Sequence, residues 1–341
     1  MVSPNSTSLP LQIETQHEDM IHDAQMDFYG KRLATCSSDR TIKIFDVVDP
    51  SAVEPKYQLV DTLRGHDGPV WQVSWAHPKF GSILASCSYD GKIFVWRETH
   101  SGPTSGAPSK QAGSWEKIKE HTLHSASVNS ISWAPHEYGP ILACASSDGK
   151  VSVLTFKDDG TWDAPLFVAH PIGCNAVSWA PAIQPASLTS ASLPQNSPLE
   201  PKKFATGGCD GLVKIWALNS HTHVWELSET LEGAHTDWIR DLAYSPNIGL
   251  SRTYLASAGQ DQLVNVWTQD GPKSPWVQHT LDPSNGGSNP TGNHQKFGSP
   301  VWRVSWSLGG NVLAVCVGDG KISLWKENLK GRWECVSEMQ Q

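Results

Sequence analysis

The chain has 341 residues, of which 38% are hydrophobic, enough for a substantial core in one large or two ordinary domains. Its formal net charge is −8 and its basic residues are scattered, which argues against nucleic-acid or anionic-membrane binding. It contains neither a signal-peptide pattern nor the roughly 18 consecutive apolar residues of a membrane span, so we expect it on the cytosolic or nuclear side.

Six similar segments follow one another along the chain, each centred on a turn that resembles Asp-Gly. An apolar strand precedes each turn and an alternating strand follows it, which predicts a β-hairpin. A further alternating strand lies upstream and another downstream, so each unit is predicted to be a four-stranded antiparallel sheet. The turn aspartates are Asp39, Asp90, Asp148, Asp210, Asp261 and Asp319.

We expect one β-propeller domain over 1–341, with an unpaired N-terminal strand at 9–16. The predicted blades cover about 17–62, 63–120, 121–167, 168–232, 233–283 and 297–341. Three connections exceed the usual loop length and are rich in Pro, Ser and Gly, which predicts surface excursions at 99–113, 182–203 and 282–299.

A histidine stands four residues before the upstream strand in five of the units, and Phe297 takes that place in the sixth. With a strand Ser or Thr, the turn Asp and a strand-end Trp, this pattern resembles the WD-repeat family, in which these side chains form a buried hydrogen-bonded tetrad. Three units match fully: His66, Ser86, Asp90 and Trp96; His170, Thr206, Asp210 and Trp216; His235, Ser257, Asp261 and Trp267. The other units depart at Phe45, at Cys144 and Leu154, and at Phe297 and Val315.

This resemblance implies an all-β, six-bladed WD-repeat β-propeller. One His and one Asp per blade are spread around a ring, whereas metal ligands and catalytic groups must converge, so we predict no metal, no cofactor and no enzymatic activity. Seven cysteines without a CxxC pair are typical of free thiols in a reducing compartment. A propeller enzyme would instead gather polar residues at its channel.

The two ends of the chain do not complete each other. "RWECVSEM" has the spacing of the fourth strand of the sixth blade, whereas "LQIETQ" alternates like a fourth strand that belongs to no blade. An open ring exposes the faces of its end blades, so we expect a partner to donate three strands that pair with the orphan strand and pack between the first and sixth blades. Candidate contacts are Leu11, Ile13 and Thr15 for pairing, and Ile21, Ile42, Ile44, Val301, Trp302, Val304 and Trp325 on the flanking blades.

Longer stretches, among them "HEDMIHDAQMDFYGKRLATCSSDRTIKIFDV", "LRGHDGPVWQVSWAHPKFGSILASCSYDGKIFVWRE" and "HPIGCNAVSWAPA", resemble the Sec-thirteen family of coat and pore scaffolds. The resemblance implies a non-enzymatic scaffold that accepts an insertion blade from a long helical partner and stiffens it. The implied partners are the large subunit of the COPII outer coat, a nucleoporin of the nuclear pore Y-complex, and subunits of the SEA/GATOR assembly that regulates the TOR kinase.

The implied locations are the cytoplasm, the COPII vesicle coat on the cytoplasmic face of the endoplasmic reticulum, and the nuclear pore. The competing interpretation is a closed WD-repeat propeller that acts as an adaptor or substrate receptor through one flat rim.

Overall fold

The structure is a computed structural model that describes residues 13–48, 56–99, 114–183, 201–247, 251–271, 274–284 and 295–340. Leu11, the start of the predicted orphan strand and most of the three predicted excursions lie outside these ranges. The chain divides into two compact units, 1–121 and 122–341, which we describe separately. Within the described ranges, no helix is long and apolar enough to cross a membrane.

Unit 1 contains two four-stranded antiparallel sheets, whose strands pair in chain order. Blade 1 consists of β1 (Ile21–Met26), β2 (Arg32–Ser37), β3 (Thr41–Val48) and β4 (Lys56–Arg64). Blade 2 consists of β5 (Val70–Trp75), β6 (Ile83–Ser88), β7 (Ile93–Thr99) and β8 (Ser114–His121).

Unit 2 contains four further antiparallel sheets. Blade 3 has β9 (Val128–Trp133), β10 (Ile141–Ser146), β11 (Lys150–Phe156), β12 (Trp162–Asp163) and β13 (Leu166–Val168); blade 4 has β14 (Cys174–Trp179), β15 (Lys203–Gly208), β16 (Val213–Leu218) and β17 (Trp225–Leu231). Blade 5 has β18 (Ile239–Tyr244), β19 (Thr253–Gly259), β20 (Val264–Gln269) and β21 (Val277–Thr280); blade 6 has β22 (Val301–Trp306), β23 (Val312–Val317), β24 (Lys321–Glu327) and β25 (Trp333–Gln340). The predicted fold class, an all-β propeller of six blades, is confirmed.

The hairpin turns explain the repeated Asp-Gly pattern. In blade 2 the side chain of Asp90 accepts a hydrogen bond from the backbone N–H of Lys92 at 2.8 Å. The residue between them, Gly91, has φ +78°, a conformation that glycine adopts at no steric cost. Arg40 and Gln262 take the same conformation where the pattern lacks glycine.

The fourth strand of blade 3 is divided into β12 and β13, which pair with opposite ends of β11. Ala164 and Pro165 separate the two pieces, and proline has no N–H to offer a strand ladder. Its carbonyl nevertheless accepts a hydrogen bond from the backbone N–H of Val153 at 3.1 Å. The sequence "WDAPLFVA" therefore makes a fourth strand that proline interrupts.

The hydrophobic cores lie where one blade packs on the next. In unit 1, apolar side chains of β2 and β3 pack against Val70 and Val73 of β5, together with Leu84, Phe94 and Trp96. Unit 2 has three such clusters, between blades 3 and 4, 4 and 5, and 5 and 6. Each sheet is therefore stabilised largely by packing on a neighbouring blade of its own unit.

Candidate functional site

The tetrad of blade 2 is a continuous chain of hydrogen bonds. The indole Nε1–H of Trp96 donates to Ser86 Oγ at 3.0 Å, and this hydroxyl donates to His66 Nε2 at 2.9 Å. His66 Nδ1–H then donates to Asp90 Oδ2 at 3.0 Å. Blades 4 and 5 contain the same arrangement with His170, Thr206, Asp210 and Trp216, and with His235, Ser257, Asp261 and Trp267.

The electrostatics favour a charged aspartate in the tetrads of blades 2 and 5 and a neutral histidine in that of blade 4. Burial raises the pKa of Asp90, but hydrogen bonds from His66 and from the backbone N–H of Asp67 outweigh it and lower this pKa to about 2. Burial lowers the pKa of His170 in blade 4 and of His124 in blade 3. Among the described residues, no three His, Cys, Asp or Glu side chains are grouped as a metal site would require. The tetrads thus satisfy buried polar groups and fix the hairpins.

Blades 3 and 6 replace the missing tetrad hydroxyl from the next strand. Cys144 occupies the usual Ser position, but its direct cross-strand neighbour Ser152 donates its hydroxyl to His124 Nε2 at 2.8 Å. In blade 6, Ser323 lies opposite Val315 and accepts from Trp325 Nε1 at 2.8 Å. Sequence reasoning missed both serines, although a serine two residues before the strand-end Trp or Leu was visible in each case.

Each sheet has a leading face, defined as the side whose residues are equivalent in the repeat to those of blade 1 that pack on blade 2. In blade 1 it consists of Ala34, Cys36, Ile42 and Ile44, which are at most 1% exposed. The equivalent residues of blades 2 to 5 are also buried. Their exposures are 0–2%, apart from Gly207 of blade 4, which is buried but has no side chain to pack.

Blade 6 is the exception. Its leading face consists of Ala314, Cys316, Ile322 and Leu324, and all four are only half-buried. The strands β23 and β24 consequently alternate between buried and half-buried residues, whereas β2 and β3 are almost continuously buried. This apolar face has the composition of a blade–blade core but the exposure of a surface.

The trailing face of a sheet consists of the first, fourth and sixth residues of its first strand. In blade 1 this face is exposed. Ile21 is 45% exposed, Met26 is 42% exposed and Ala24 is also exposed. The residues equivalent to Ile21 in the other five blades are fully buried, and those equivalent to Ala24 are at most 5% exposed: Val70, Val73, Val128, Ile131, Cys174, Val177, Ile239, Leu242, Val301 and Val304.

The segment before blade 1 is anchored by a buried lysine. Lys43 Nζ donates to the carbonyl of Thr15 at 3.1 Å and also to that of Gln16. The equivalent Lys214 of blade 4 donates to the carbonyl of Ala169, directly before the tetrad histidine, at 2.8 Å. Residues 15–16 therefore lead into blade 1 along the same path that the residues before His170 take into blade 4. Residues 13–16 form no strand, and the orphan strand remains a prediction because an unpaired strand has no ladder to define it.

The structure separates the predicted partner-binding residues into groups. Ile13 and Thr15 are half-buried in the entering segment, and Ile21 lies on the exposed trailing face. Ile42 and Ile44 are buried against blade 2, Val301 and Val304 against blade 5, and Trp325 inside blade 6. These five side chains are at most 5% exposed. Trp302 is 50% exposed but stacks towards blade 5, on Arg240.

The comparison with protein families recognises repeats in blades 1, 2, 3, 5 and 6. The family model described as "WD domain, G-beta repeat" matches residues 9–46, 57–97, 115–162, 225–268 and 291–326, which is more than half of the chain. The chain is therefore a WD-repeat protein.

Full-length relatives narrow the class further. The chain is 57% identical to the protein transport protein SEC13 of Mycosarcoma maydis, over 98% of this chain and 96% of the relative. It is 53% identical to the protein of that name from Cryptococcus neoformans var. neoformans serotype D (strain B-3501A), over 99% and 98%. For Emericella nidulans the identity is 51%, over 95% and 96%. The chain belongs to the SEC13 family of protein transport proteins and is not an enzyme.

Proposed function

We propose that the chain serves protein transport as a non-enzymatic scaffold that binds a larger partner through its end blades. The single observation that carries this proposal is the leading face of blade 6, where four apolar residues stay half-buried although their equivalents in every other blade are core. Apolar surface of this kind is stabilised by whatever covers it. The names of the relatives support the transport role.

The partner we infer donates β-strands. We expect the leading face of blade 6 to bind another sheet. The equivalent faces of blades 1, 3, 4 and 5 each pack on the first strand of the next blade. The equivalents of the trailing face of blade 1 in blades 2, 4, 5 and 6 pack against the preceding sheet. Added strands can cover such faces and also pair with an exposed edge. The contact set we propose is Ile21, Ala24 and Met26 on blade 1, and Ala314, Cys316, Ile322 and Leu324 on blade 6.

For the identity of the partner we propose the large subunit of the COPII outer coat, with action in ER-to-Golgi transport on the cytoplasmic side of the endoplasmic reticulum. Membership of the SEC13 family supports this choice. The nuclear pore Y-complex and the SEA/GATOR assembly remain further proposals, which rest on the same resemblance and would reuse the same two faces.

Cys316 provides a native probe of the blade 6 face. Its thiol is half-buried, whereas Cys36 and Cys87, at the same position in blades 1 and 2, are fully buried. We expect maleimide to label Cys316 in the chain alone and at least tenfold more slowly in a complex co-expressed with the coat subunit. Cys209, which lies on blade 4, should be labelled at the same rate in both samples.

A charged substitution tests the same face. Leu324→Glu should abolish co-purification with the coat subunit while lowering the melting temperature of the chain alone only modestly, since the residue is half-buried. Val336→Glu is the matched control, because Val336 is 57% exposed on the outer strand of the same blade. Equal labelling of Cys316 with and without the partner, or full binding by the Leu324→Glu variant, would refute the proposal. If Cys316 is as unreactive as Cys36 in the chain alone, the closed adaptor is favoured instead.

A further inference from the structure

A cluster of large side chains at the start of β18 and β22 belongs to neither end face. Trp238 and Trp302 are 45% and 50% exposed, and Arg240 lies between them. The guanidinium of Arg240 is 5.2 Å from the ring centroid of Trp238 and 4.6 Å from that of Trp302. With Gln260, these residues form what we call the rim cluster. Two half-exposed tryptophans on one cation are unusual, because an indole gains most from full burial.

The local backbone builds this arrangement. β-Bulges at the start of β18 and β22 shift the pairing register at Arg240 and Trp302, which are therefore absent from the regular ladder pairs. Gly318 leaves room for the indole, because a Cβ at this position would lie 2.9 Å from Trp302 Nε1. Gln260 Oε1 accepts from Arg240 Nε at 2.8 Å and from Nη2 at 2.6 Å. The guanidinium is thus held in one orientation.

The charge of Arg240 is not balanced by a contacting acid. Its contacts within the described residues are one neutral amide and two indoles, and Cys209 and Asp237 act on it only at longer range. Burial lowers the pKa of Arg240, as expected for a partly desolvated cation. By contrast, the partly buried Arg32 and Arg252 each contact two carboxylates.

We propose that the rim cluster binds an acidic peptide segment of a partner protein. A carboxylate would accept hydrogen bonds from the Nη1 edge of Arg240, which makes no hydrogen bond to a described residue, and an apolar side chain would pack on the exposed indoles. A planar guanidinium matches a carboxylate in two-point geometry. Tryptophan and arginine are also the side chains that dominate binding hot spots. This surface is separate from the end faces and does not depend on the proposed function.

The test starts from a phage-displayed library of random 12-residue linear peptides, panned against the full chain. We expect the enriched peptides to combine an Asp or Glu with a large apolar residue. For a synthetic peptide of that consensus, titration calorimetry should show at least tenfold weaker binding to the Arg240→Gln and Trp302→Ala variants. Arg97→Gln removes an exposed arginine from blade 2 and should leave the affinity unchanged.

Replacing the acid of the peptide by Gln or Asn should cost at least tenfold in affinity, and raised salt should weaken binding. Gly318→Ala displaces the Trp302 indole while retaining Arg240, so it should weaken binding about fivefold and serves as the second variant if Arg240→Gln lowers the melting temperature. The proposal is overturned if no acidic consensus is enriched, if the amide peptide binds as tightly, or if the folded rim variants keep the wild-type affinity.

Discussion

The relocated hydroxyl of blade 3 gives the sharpest test of how the tetrads stabilise the fold. Ser152→Ala removes a hydroxyl that donates to His124 Nε2 at 2.8 Å. The His124 side chain and Ser152 are both fully buried, so water cannot replace the lost donor. The substitution deletes a single oxygen atom and leaves the strand pairing of β10 and β11 unchanged.

A buried polar group that loses its partner costs about 1–3 kcal/mol. For a domain of about 150–250 residues, each kcal/mol lowers the melting temperature by roughly 2–4 °C, which corresponds to about 2–12 °C. Because this chain has 341 residues, we expect a fall in the lower part of that range. Ser86→Ala in blade 2 should cost as much or more, because Ser86 bonds to both His66 and Trp96.

The decisive variant is Cys144→Ser combined with Ser152→Ala. Cys144 lies directly opposite Ser152, at the position where blade 2 carries Ser86, so a hydroxyl there should reach His124 and restore most of the lost stability. Urea unfolding followed by tryptophan fluorescence gives the free energies of unfolding. The reasoning is refuted if Ser152→Ala unfolds at the wild-type urea concentration, or if the double variant is no more stable than Ser152→Ala alone.

Three further outcomes follow from the structure. Because burial lowers the folded-state pKa of His124, the unfolded chain binds more protons, so the free energy of unfolding should fall as the pH drops from 7.5 to 5.5; a rise in urea titrations would contradict this. Glu98→Ala removes a buried carboxylate that binds Arg32 at two points and should cost about 1.5–3 kcal/mol, because Asp46 remains as a partner of Arg32, whereas Glu116→Ala breaks an exposed pair and should cost under about 1 kcal/mol; equal melting temperatures would exclude the difference. Ile44→Ala should cost about 2–5 kcal/mol in the isolated chain and Leu324→Ala clearly less, as measured by urea unfolding; the opposite order would show that blade 6 has the same core as blade 1.

The repeats made the fold predictable from sequence. Each turn requires a side-chain acceptor followed by a residue at positive φ. Asp90 and Gly91 meet these two requirements, so the Asp-Gly pair identifies the turn in the sequence. The alternating strands on either side then define a hairpin, and six recurrences define six blades. The alternating pattern did not predict the interruption at Pro165, although proline weakens any strand assignment.

The candidate site was less predictable, and the reason lies in the geometry of a strand. A period of two assigns residues to alternate sides but does not say which side faces the next blade. The pattern therefore predicts Ile42 and Val301 as partner contacts, whereas in the structure Ile42 packs on blade 2 and Val301 on blade 5. Cys316 and Leu324 have the same pattern as their buried equivalents, so only their exposure in the structure distinguishes them.

The comparison of Ile44 with Leu324 shows why the end faces concern function more than folding. Both residues occupy the same place in the repeat, and both are large aliphatic side chains of the third strand. Ile44 is covered by blade 2 of its own unit, so its burial contributes to the stability of the chain. Leu324 is half-buried, so part of its hydrophobic free energy remains available for association. Because a partner that binds only the folded state stabilises it by about 2.7 kcal/mol at one hundred times the dissociation constant, covering this face should couple partner binding directly to the stability of blade 6.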